Sequence, residues 1–391
     1  MLKATKVRIY PNTEQADFLN QQFGAVRFAY NKSLAVINQA YKRHGVSISA
    51  KKDMKPMLAI AKKSRKYDWL KQYDSIALQQ ACINLDRAFQ NFFDPKLKAH
   101  FPCFKKRHGK QNSYHCTSIK AENSFIKIPK CSPIKARIHR EINGTLKSIT
   151  LSRTTTGKYY ASLLIEDGKA LPKPIDYIKE SDVIGVDLGL THLLIESSGR
   201  KEANPRLLKR AYANLRRKSK ALSRTKKGSA GRTKARLKLA KAHEKVANTR
   251  SDFQHKLSRR LIDENQAVIV ETLKSSNMMK NGKLAKHIAD AAWHSLVIKL
   301  EYKAKEQGKY LIKINQWVAS SKTCSYCGHK LDELKLDVRE WQCPSCQAQH
   351  DRDINAAINV RSHGITDLKA AGLTVSAKGC LRKSSDMLVA A

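Results

Sequence analysis

The sequence lacks any run of about 18 apolar residues, the length that a membrane-spanning helix requires. Its first residues, Met1 to Lys6, contain no apolar h-region, so a secretory signal is not expected. Nine cysteines are an odd number, and without a signal peptide a disulfide framework is not expected either. These absences argue against membrane-spanning and secreted disulfide-rich proteins. They predict a cytoplasmic protein with no membrane partner.

Acidic residues are also scarce. Only 33 Asp and Glu oppose 75 Lys and Arg in 391 residues, which gives a formal net charge of +42. Such an excess repels itself unless a polyanion lies nearby, so nucleic acid is the expected partner. Hydrophobic residues still make up 41% of the chain, enough for a large core, and the length favours two or three domains.

The hydrophobic periodicity predicts an N-terminal part of mixed character. Lys3–Tyr10 alternates like a strand, and further strand patterns occur between residues 114 and 166. We therefore expect a β module over 1–10 and 96–172, with a helical region over 11–95 inserted in it. Leu171–Pro174 is expected to be a linker because of its prolines.

The C-terminal part has the pattern of an α/β domain. Short buried strands are predicted at 183–186 and 267–270, and a helix at 284–307. We expect this domain to comprise 181–320 and 347–363. The stretch from 364 to 391 has no clear period and is expected to be a loose tail.

Residues 206–245 are the most basic part of the chain. They contain 16 Lys and Arg against a single acid, Glu244. A helical leucine stripe interrupted at 228–231 predicts a helical hairpin, inserted over 206–250. Like-charge repulsion would destabilise such a hairpin in isolation, so we expect it to lie along a phosphate backbone. The expected contacts are Arg216, Arg217, Lys218 and Arg232.

A second candidate nucleic-acid contact lies at Phe101–Arg107, which mixes aromatic and basic side chains. Phe104 and Lys105 suit stacking on bases and pairing with phosphates. A packed turn with a solvated basic face explains these residues equally well.

Four cysteines have the spacing of a metal site. Cys324-x2-Cys327 and Cys343-x2-Cys346 are two pairs separated by residues 328–342. Four thiolates at this spacing are typical of a structural zinc site whose coordination shell is closed to substrate. We expect one zinc ion in a zinc ribbon over 321–346.

Three acids stand where buried elements are expected to meet solvent. Asp187 and Glu271 follow predicted strands, and Asp353 begins a helical pattern. Folding that brings them together would let oxygen ligands hold two magnesium ions for phosphodiester hydrolysis. Singly, they are also explained as a turn acid, an exposed strand end and a helix N-cap.

The combined motifs resemble the TnpB family of RNA-guided nucleases encoded by insertion sequences. The resemblance extends over most of the chain to about residue 361. It rests on Gly185-Val186-Asp187-Leu188-Gly189, Val268–Glu271, His350–Ala357, Ser320–Gly328 and Arg339–Cys343, with Tyr10-Pro11, Phe101–Lys105 and Met278–Lys286.

The resemblance implies a RuvC-like ribonuclease H fold with an inserted zinc ribbon, and an N-terminal barrel-like wedge module with a helical recognition region. It implies that Asp187, Glu271 and Asp353 are catalytic, and it selects Asp353 over the neighbouring Asp351. The implied activity is magnesium-dependent cleavage of double-stranded target DNA, chosen by a guide RNA from the same element, in a prokaryotic cytoplasm and on the nucleoid when DNA is bound.

Three other interpretations remain open from the sequence, one of them a structural zinc-bearing RNA-binding protein without catalysis. Relatives without the acids act as RNA-guided regulators, and transposases that join DNA strands share the fold and metal chemistry. Thr272 stands where the family commonly has an acid before the following leucine, which leaves the local geometry open. The guide sequence, the target-adjacent motif and the oligomeric state are not indicated.

Overall fold

The structure is a computed structural model that describes residues 1–107, 112–122, 124–335 and 337–376. Its contacts divide the chain into two units, Met1–Ala170 and the part from Leu171 onward. The predicted linker begins at this boundary. Within the described ranges, no helix is both long and apolar enough to cross a membrane.

Seven strands of the first unit form one antiparallel sheet: β1 (Leu2–Tyr10), β2 (Asn112–Cys116), β3 (Lys120–Glu122), β4 (Phe125–Lys127), β5 (Ile134–Arg137), β6 (Thr145–Arg153) and β7 (Tyr159–Glu166). Their order in the sheet is β2-β6-β7-β1-β5-β4-β3. The first strand pairs with both β7 and β5 and buries the alternate residues Val7 and Ile9. A barrel-like wedge remains a prediction for this sheet.

Helices α1 (Thr13–His44), α2 (Lys55–Ala61) and α3 (Ser75–Phe93) follow β1 in the chain. Asn12 starts α1 with a capping box, because its side chain accepts from the Gln15 amide at 2.8 Å while the Gln15 side chain accepts from the Asn12 amide. Gly45 ends the helix in the left-handed region, at φ 67°. Leucines of α1 and α3, among them Leu34 and Leu78, are fully buried in one core with the strands.

The described strands of the second unit are β8 (Tyr177–Lys179), β9 (Val183–Asp187), β10 (His192–Glu196), β11 (Lys201–Ala203), β12 (Ala267–Glu271), β13 (Tyr310–Ile314), β14 (Glu340–Gln342), β15 (Gln349–Asp351) and β16 (Thr374–Ser376). Five of them form a mixed sheet in the order β11-β10-β9-β12-β13, in which β9, β12 and β13 are parallel. Two smaller pairs, β8–β16 and β14–β15, lie outside this sheet.

Helices cover both faces of this sheet. Val268 and Val270 of β12 join a cluster with helices on one face, while Ala267 and Ile269 join a second cluster on the other. The described helices are α4 (Leu207–Ser223), α5 (Ala230–Glu264), α6 (Ser275–Met278), α7 (Ala285–Ala291), α8 (Trp293–Glu306) and α9 (Arg352–Ala370). The layered arrangement confirms the α/β fold class of this part.

Two glycines let α9 approach the sheet closely. A Cβ on Gly185 of β9 would lie 2.2 Å from the Ala357 carbonyl oxygen, and one on Gly364 of α9 would lie 2.3 Å from the Ile269 side chain. The expected loose tail from residue 364 is therefore wrong at its start, because Gly364–Ala370 is helix packed on the sheet and β16 follows. Residues 377–391 lie outside the described residues.

Two helix boundaries also differ from expectation. The helix predicted over 284–307 is two helices, because Ala292 takes a left-handed conformation at φ 52° between α7 and α8. The second helix of the basic hairpin does not end near 250 but continues to Glu264. Its last turns bury Leu257 and Leu261 against the sheet, so this helix belongs partly to the core.

Candidate active site and metal centre

Two of the three predicted acids end neighbouring strands. Asp187 is the last residue of β9 and Glu271 the last of β12. The two strands are parallel, with Val186 opposite Val270, so both carboxylates leave the same edge of the sheet. Asp353 is the second residue of α9. This helix packs closely on β9 because Gly185 has no side chain there. Folding therefore brings together residues that the sequence separates widely.

The electrostatics of Asp187 reflect this convergence. Burial, and then the nearby charges of Glu271 and Asp353, raise the pKa of Asp187 to about 8. Burial also raises the pKa of Glu271, which a hydrogen bond from Ser320 partly offsets. A bound cation would favour the ionised forms of Asp187 and Glu271, whose pKa values are raised in its absence.

The structure separates the roles of Asp351 and Asp353. Asp351 caps α9, since its Oδ1 accepts from the amides of Asp353 and Ile354 at 3.0 Å, and its Oδ2 pairs with Lys201. The N-cap reading therefore applies to Asp351 and not to Asp353. The charge of Asp353 contributes to the raised pKa of Asp187. The Arg339 guanidinium lies 3.4 Å from the Asp353 carboxylate.

Hydrogen bonds fasten the end of β12. Ser320 Oγ donates to Glu271 Oε1 at 2.6 Å, and Thr272 Oγ1 donates to the Ile314 carbonyl of β13 at 2.6 Å. Thr272, the departure from the family pattern, thus ties two parallel strands together beside Glu271. Sequence reasoning missed the role of Ser320, whose only signal was its place in the motif before Cys324.

The four predicted cysteines converge. The sulfur atoms of Cys324, Cys327, Cys343 and Cys346 all lie within 4.8 Å of one another, and within the described ranges they are the one such cluster of His, Cys, Asp and Glu ligand atoms. Cys324 and Cys343 are buried while the other two are exposed. The donor set and its spacing fit a tetrahedral metal such as zinc.

His350 is a further residue of this centre that sequence reasoning did not assign. Its Nε2 lies 3.0 Å from Cys324 Sγ, and its ring packs against Trp341, its partner in the β14–β15 pair. A ring N–H directed at a thiolate would orient that ligand from outside the coordination shell.

The basic hairpin α4–α5 is anchored by a buried acid on α7. Asp290 accepts from the amides of Leu208 and Lys209 at 2.9 and 3.1 Å, which caps the start of α4, and it pairs with Arg250 of α5 at 3.0 Å. One carboxylate therefore fixes both helices of the hairpin.

The exposed face of α4 carries a basic recess of 570 Å³, lined by Arg216, Arg217, Lys220, Arg224 and Tyr212 with two alanines. Lys218 is half-buried. Arg232 differs from expectation, because its Nη1 donates to the carbonyls of Leu222 and Thr225 and closes the end of α4.

The segment with Phe104 and Lys105 is held on α1. Asn31 exchanges two hydrogen bonds with the Lys105 backbone, and the Lys105 ammonium lies 4.0 Å from the centroid of the Tyr30 ring. That ammonium therefore lies against a ring of the first unit, and its expected phosphate contact stays a prediction. Phe104 is 53% exposed and is available for stacking.

Three ranges of the chain match known families. Residues 172–282 match a family described as "Probable transposase" (OrfB_IS605), and 293–360 match the "Cas12f1-like, TNB domain". Residues 1–46 match a "Helix-turn-helix domain" of the OrfB_IS605 group, although here they form β1 and the single long helix α1. These matches define a transposon-associated class.

Whole-chain relatives narrow this class. A "Putative RNA-guided DNA endonuclease" of Streptomyces pristinaespiralis is 39% identical, over 96% of this chain and 91% of the relative. "Putative RNA-guided DNA endonuclease InsQ" of Escherichia coli K12 is 28% identical, over 100% of this chain and 99% of the relative. The chain belongs to the TnpB family.

A solved structure shares the fold. The Cas12f1 chain of a complex with sgRNA and target DNA superposes with a TM-score of 0.58, at 16% identity, over 90% of this chain and 83% of that chain. At that identity the likeness concerns the fold alone.

Proposed function

We propose that the chain is an RNA-guided DNA endonuclease of an insertion sequence, with its catalytic centre at Asp187, Glu271 and Asp353. The relatives that carry this activity in their names support the class of reaction. The single observation that supports the site is the placement of Asp187, Glu271 and Asp353 at the ends of β9 and β12 and the start of α9, where burial, and then the charges of Glu271 and Asp353, raise the pKa of Asp187 to about 8.

These three carboxylates would hold two magnesium ions. They fit the ion in two respects, because hard oxygen donors suit magnesium and because a cation would relieve the mutual repulsion of the acids. Bound there, the ions would supply an activated water and stabilise the leaving oxygen of a phosphodiester.

The chain's own residues prepare this site. Ser320 holds one oxygen of Glu271, and Arg339 neutralises part of the charge on Asp353. Gly185 allows α9 to bring Asp353 to the strand ends.

The four cysteines would hold one structural zinc ion. Their closed set of sulfur ligands leaves no coordination position for substrate, so the zinc would stabilise the ribbon and take no part in the chemistry.

The proposed partners are a guide RNA from the same element and double-stranded target DNA. The net charge of +42 supports a polyanionic partner. We assign backbone contacts to Arg216 and Arg217, add Lys220 and Arg224 from the same recess, and keep Phe104 as a stacking residue. Pairing between guide and target would supply the sequence choice.

Substitution of Asp187 tests the catalytic assignment. Asp187→Ala removes a metal ligand without removing a phosphate contact, so the variant should keep its RNA and lose cleavage of a matched DNA in magnesium. Undiminished cutting by the variant would refute the assignment. Joining of transposon ends by the wild type would instead support a strand-joining transposase, and target binding without cutting would support a regulator.

Charge reversal tests the basic recess. The double variant Arg216→Glu, Arg217→Glu should weaken RNA binding and lower the slope of log affinity against log salt by about 1.4 to 1.8, roughly 0.7 to 0.9 per lost contact. The matched control is Lys256→Glu, Arg259→Glu, which changes the same charge on exposed residues of α5. Equal slopes in the two double variants would argue against the recess.

A further inference from the structure

A short segment connects the proposed catalytic centre to the first cysteine pair. It begins at Ser320, which is 7% exposed and donates to Glu271 Oε1 at 2.6 Å. It ends in the knuckle that contains Cys324 and Ser325. Because one oxygen of Glu271 accepts this hydrogen bond, the rotation of its carboxylate is restricted before a metal binds.

Two asparagines of α9 hold this segment from the other side. Asn359 Nδ2 donates to the carbonyls of Ser320 and Thr323 at 2.7 and 2.6 Å. Asn355 Nδ2 donates to the Thr323 carbonyl at 2.8 Å, and its Oδ1 accepts from the Ser325 amide at 2.9 Å.

These asparagines lie one helical turn apart on the same face of α9. They are 1% and 8% exposed, so their hydrogen bonds lie in a low-dielectric interior where a lost partner is costly. The helix that holds the segment is also the helix that carries Asp353. These hydrogen bonds thus connect Glu271 and the first cysteine pair to α9, the helix whose first turn contains Asp353.

We propose that Ser320 is a positioning residue that orients the Glu271 carboxylate for metal binding, and that Asn355 and Asn359 hold it in place from α9. The zinc ribbon would then also help to position Ser320, because its first cysteine turn forms the C-terminal end of the segment that contains Ser320. This inference deepens the proposed function and rests on it.

The test measures metal binding directly. Mn²⁺ would be titrated into the full-length, RNA-free chain and followed by electron paramagnetic resonance, because Mn²⁺ binds most weakly of the first-row divalent transition metals and so should leave zinc in place. Ser320→Ala should weaken Mn²⁺ binding by about 10- to 100-fold, the usual effect of losing a group that orients a metal ligand. Zinc content and RNA co-purification should stay unchanged.

Three variants make the test specific. Ser321→Ala removes a neighbouring hydroxyl that makes no hydrogen bond within the described part of the chain, and it should bind Mn²⁺ like the wild type. Ser320→Thr keeps the hydroxyl and should restore binding. Asp187→Ala reports whether the carboxylates hold the ion at all.

The outcomes separate the two proposals. Unchanged Mn²⁺ binding in Asp187→Ala would overturn the proposed catalytic centre itself. Lost binding in Asp187→Ala with normal binding in Ser320→Ala would overturn only the positioning role. Loss of zinc together with Mn²⁺ in Ser320→Ala would also overturn it, since the residue would then stabilise the ribbon generally.

Discussion

Replacing Asp187 by asparagine should stabilise the metal-free protein, and the effect should depend on pH. In the fold, burial and two neighbouring acids raise the pKa of Asp187 from 3.8 to about 8. Between these values the folded chain therefore keeps a proton that the unfolded chain releases. Stability must fall as the pH rises across this window, by at most about 1.4 kcal/mol per pH unit.

The window from pH 4 to pH 7 spans three units, which sets an upper limit of about 4 kcal/mol. Partial solvent exposure and sharing of the proton among the three acids reduce this figure, so we expect about 1 to 3 kcal/mol. Asp187→Asn cannot ionise and should lack this part of the pH dependence. The variant should therefore gain stability over the wild type as the pH approaches 8.

Urea unfolding without divalent cations, followed by tryptophan fluorescence, measures this difference. Three of the four tryptophans, Trp293, Trp317 and Trp341, lie in the second unit and report on it. The control is Asp252→Asn, which removes an exposed acid of α5 paired with Lys256. Parallel pH profiles for wild type and Asp187→Asn would refute the raised pKa of Asp187 and, with it, the burial of this carboxyl beside Glu271 and Asp353.

Three further substitutions probe the frame around the site. Cys343→Ser should lose zinc in metal analysis, because it removes one buried ligand of a site type whose zinc binding is worth roughly 10–16 kcal/mol in total. The control Cys103→Ser, at an exposed cysteine outside the cluster, should retain zinc. Gly185→Ala places a Cβ 2.2 Å from a backbone oxygen, so urea unfolding should show a loss of about 3 kcal/mol or more and cleavage should fall. The control Gly282→Ala meets no atom within 4 Å and should be neutral. Asp290→Ala leaves Arg250 unpaired and the start of α4 uncapped, so hydrogen exchange in α4 should accelerate, at a cost of about 3 kcal/mol. Unchanged exchange there would show that the hairpin is held by other contacts.

The sequence was sufficient for features that depend on local pattern. Short apolar runs predicted β9 and β12 as buried strands, and the four-cysteine spacing predicted a centre that folding does assemble. The positions of Asp187 and Glu271 at strand ends followed from the same patterns. Convergence with Asp353 could be expected only because the motifs together resembled one family.

Features that depend on tertiary contact escaped prediction. The stretch from Gly364 onward has no clear period in the sequence, yet α9 continues through Gly364 because a glycine there lets the helix pass Ile269. The left-handed Ala292 has no glycine or proline to mark it. Arg232 and Lys105 have the charge of phosphate contacts but are engaged by carbonyls and by a tyrosine ring, which no periodicity records.

Guided cleavage at the three acids can be tested with one preparation. The chain would be co-expressed with its flanking genomic DNA, the bound RNA sequenced, and a DNA matching its variable end incubated with the complex in magnesium. We expect one discrete RNA, cleavage by the wild type, and none by Asp187→Ala with the same RNA bound. Heterogeneous RNA, or equal cleavage by both proteins, would contradict it.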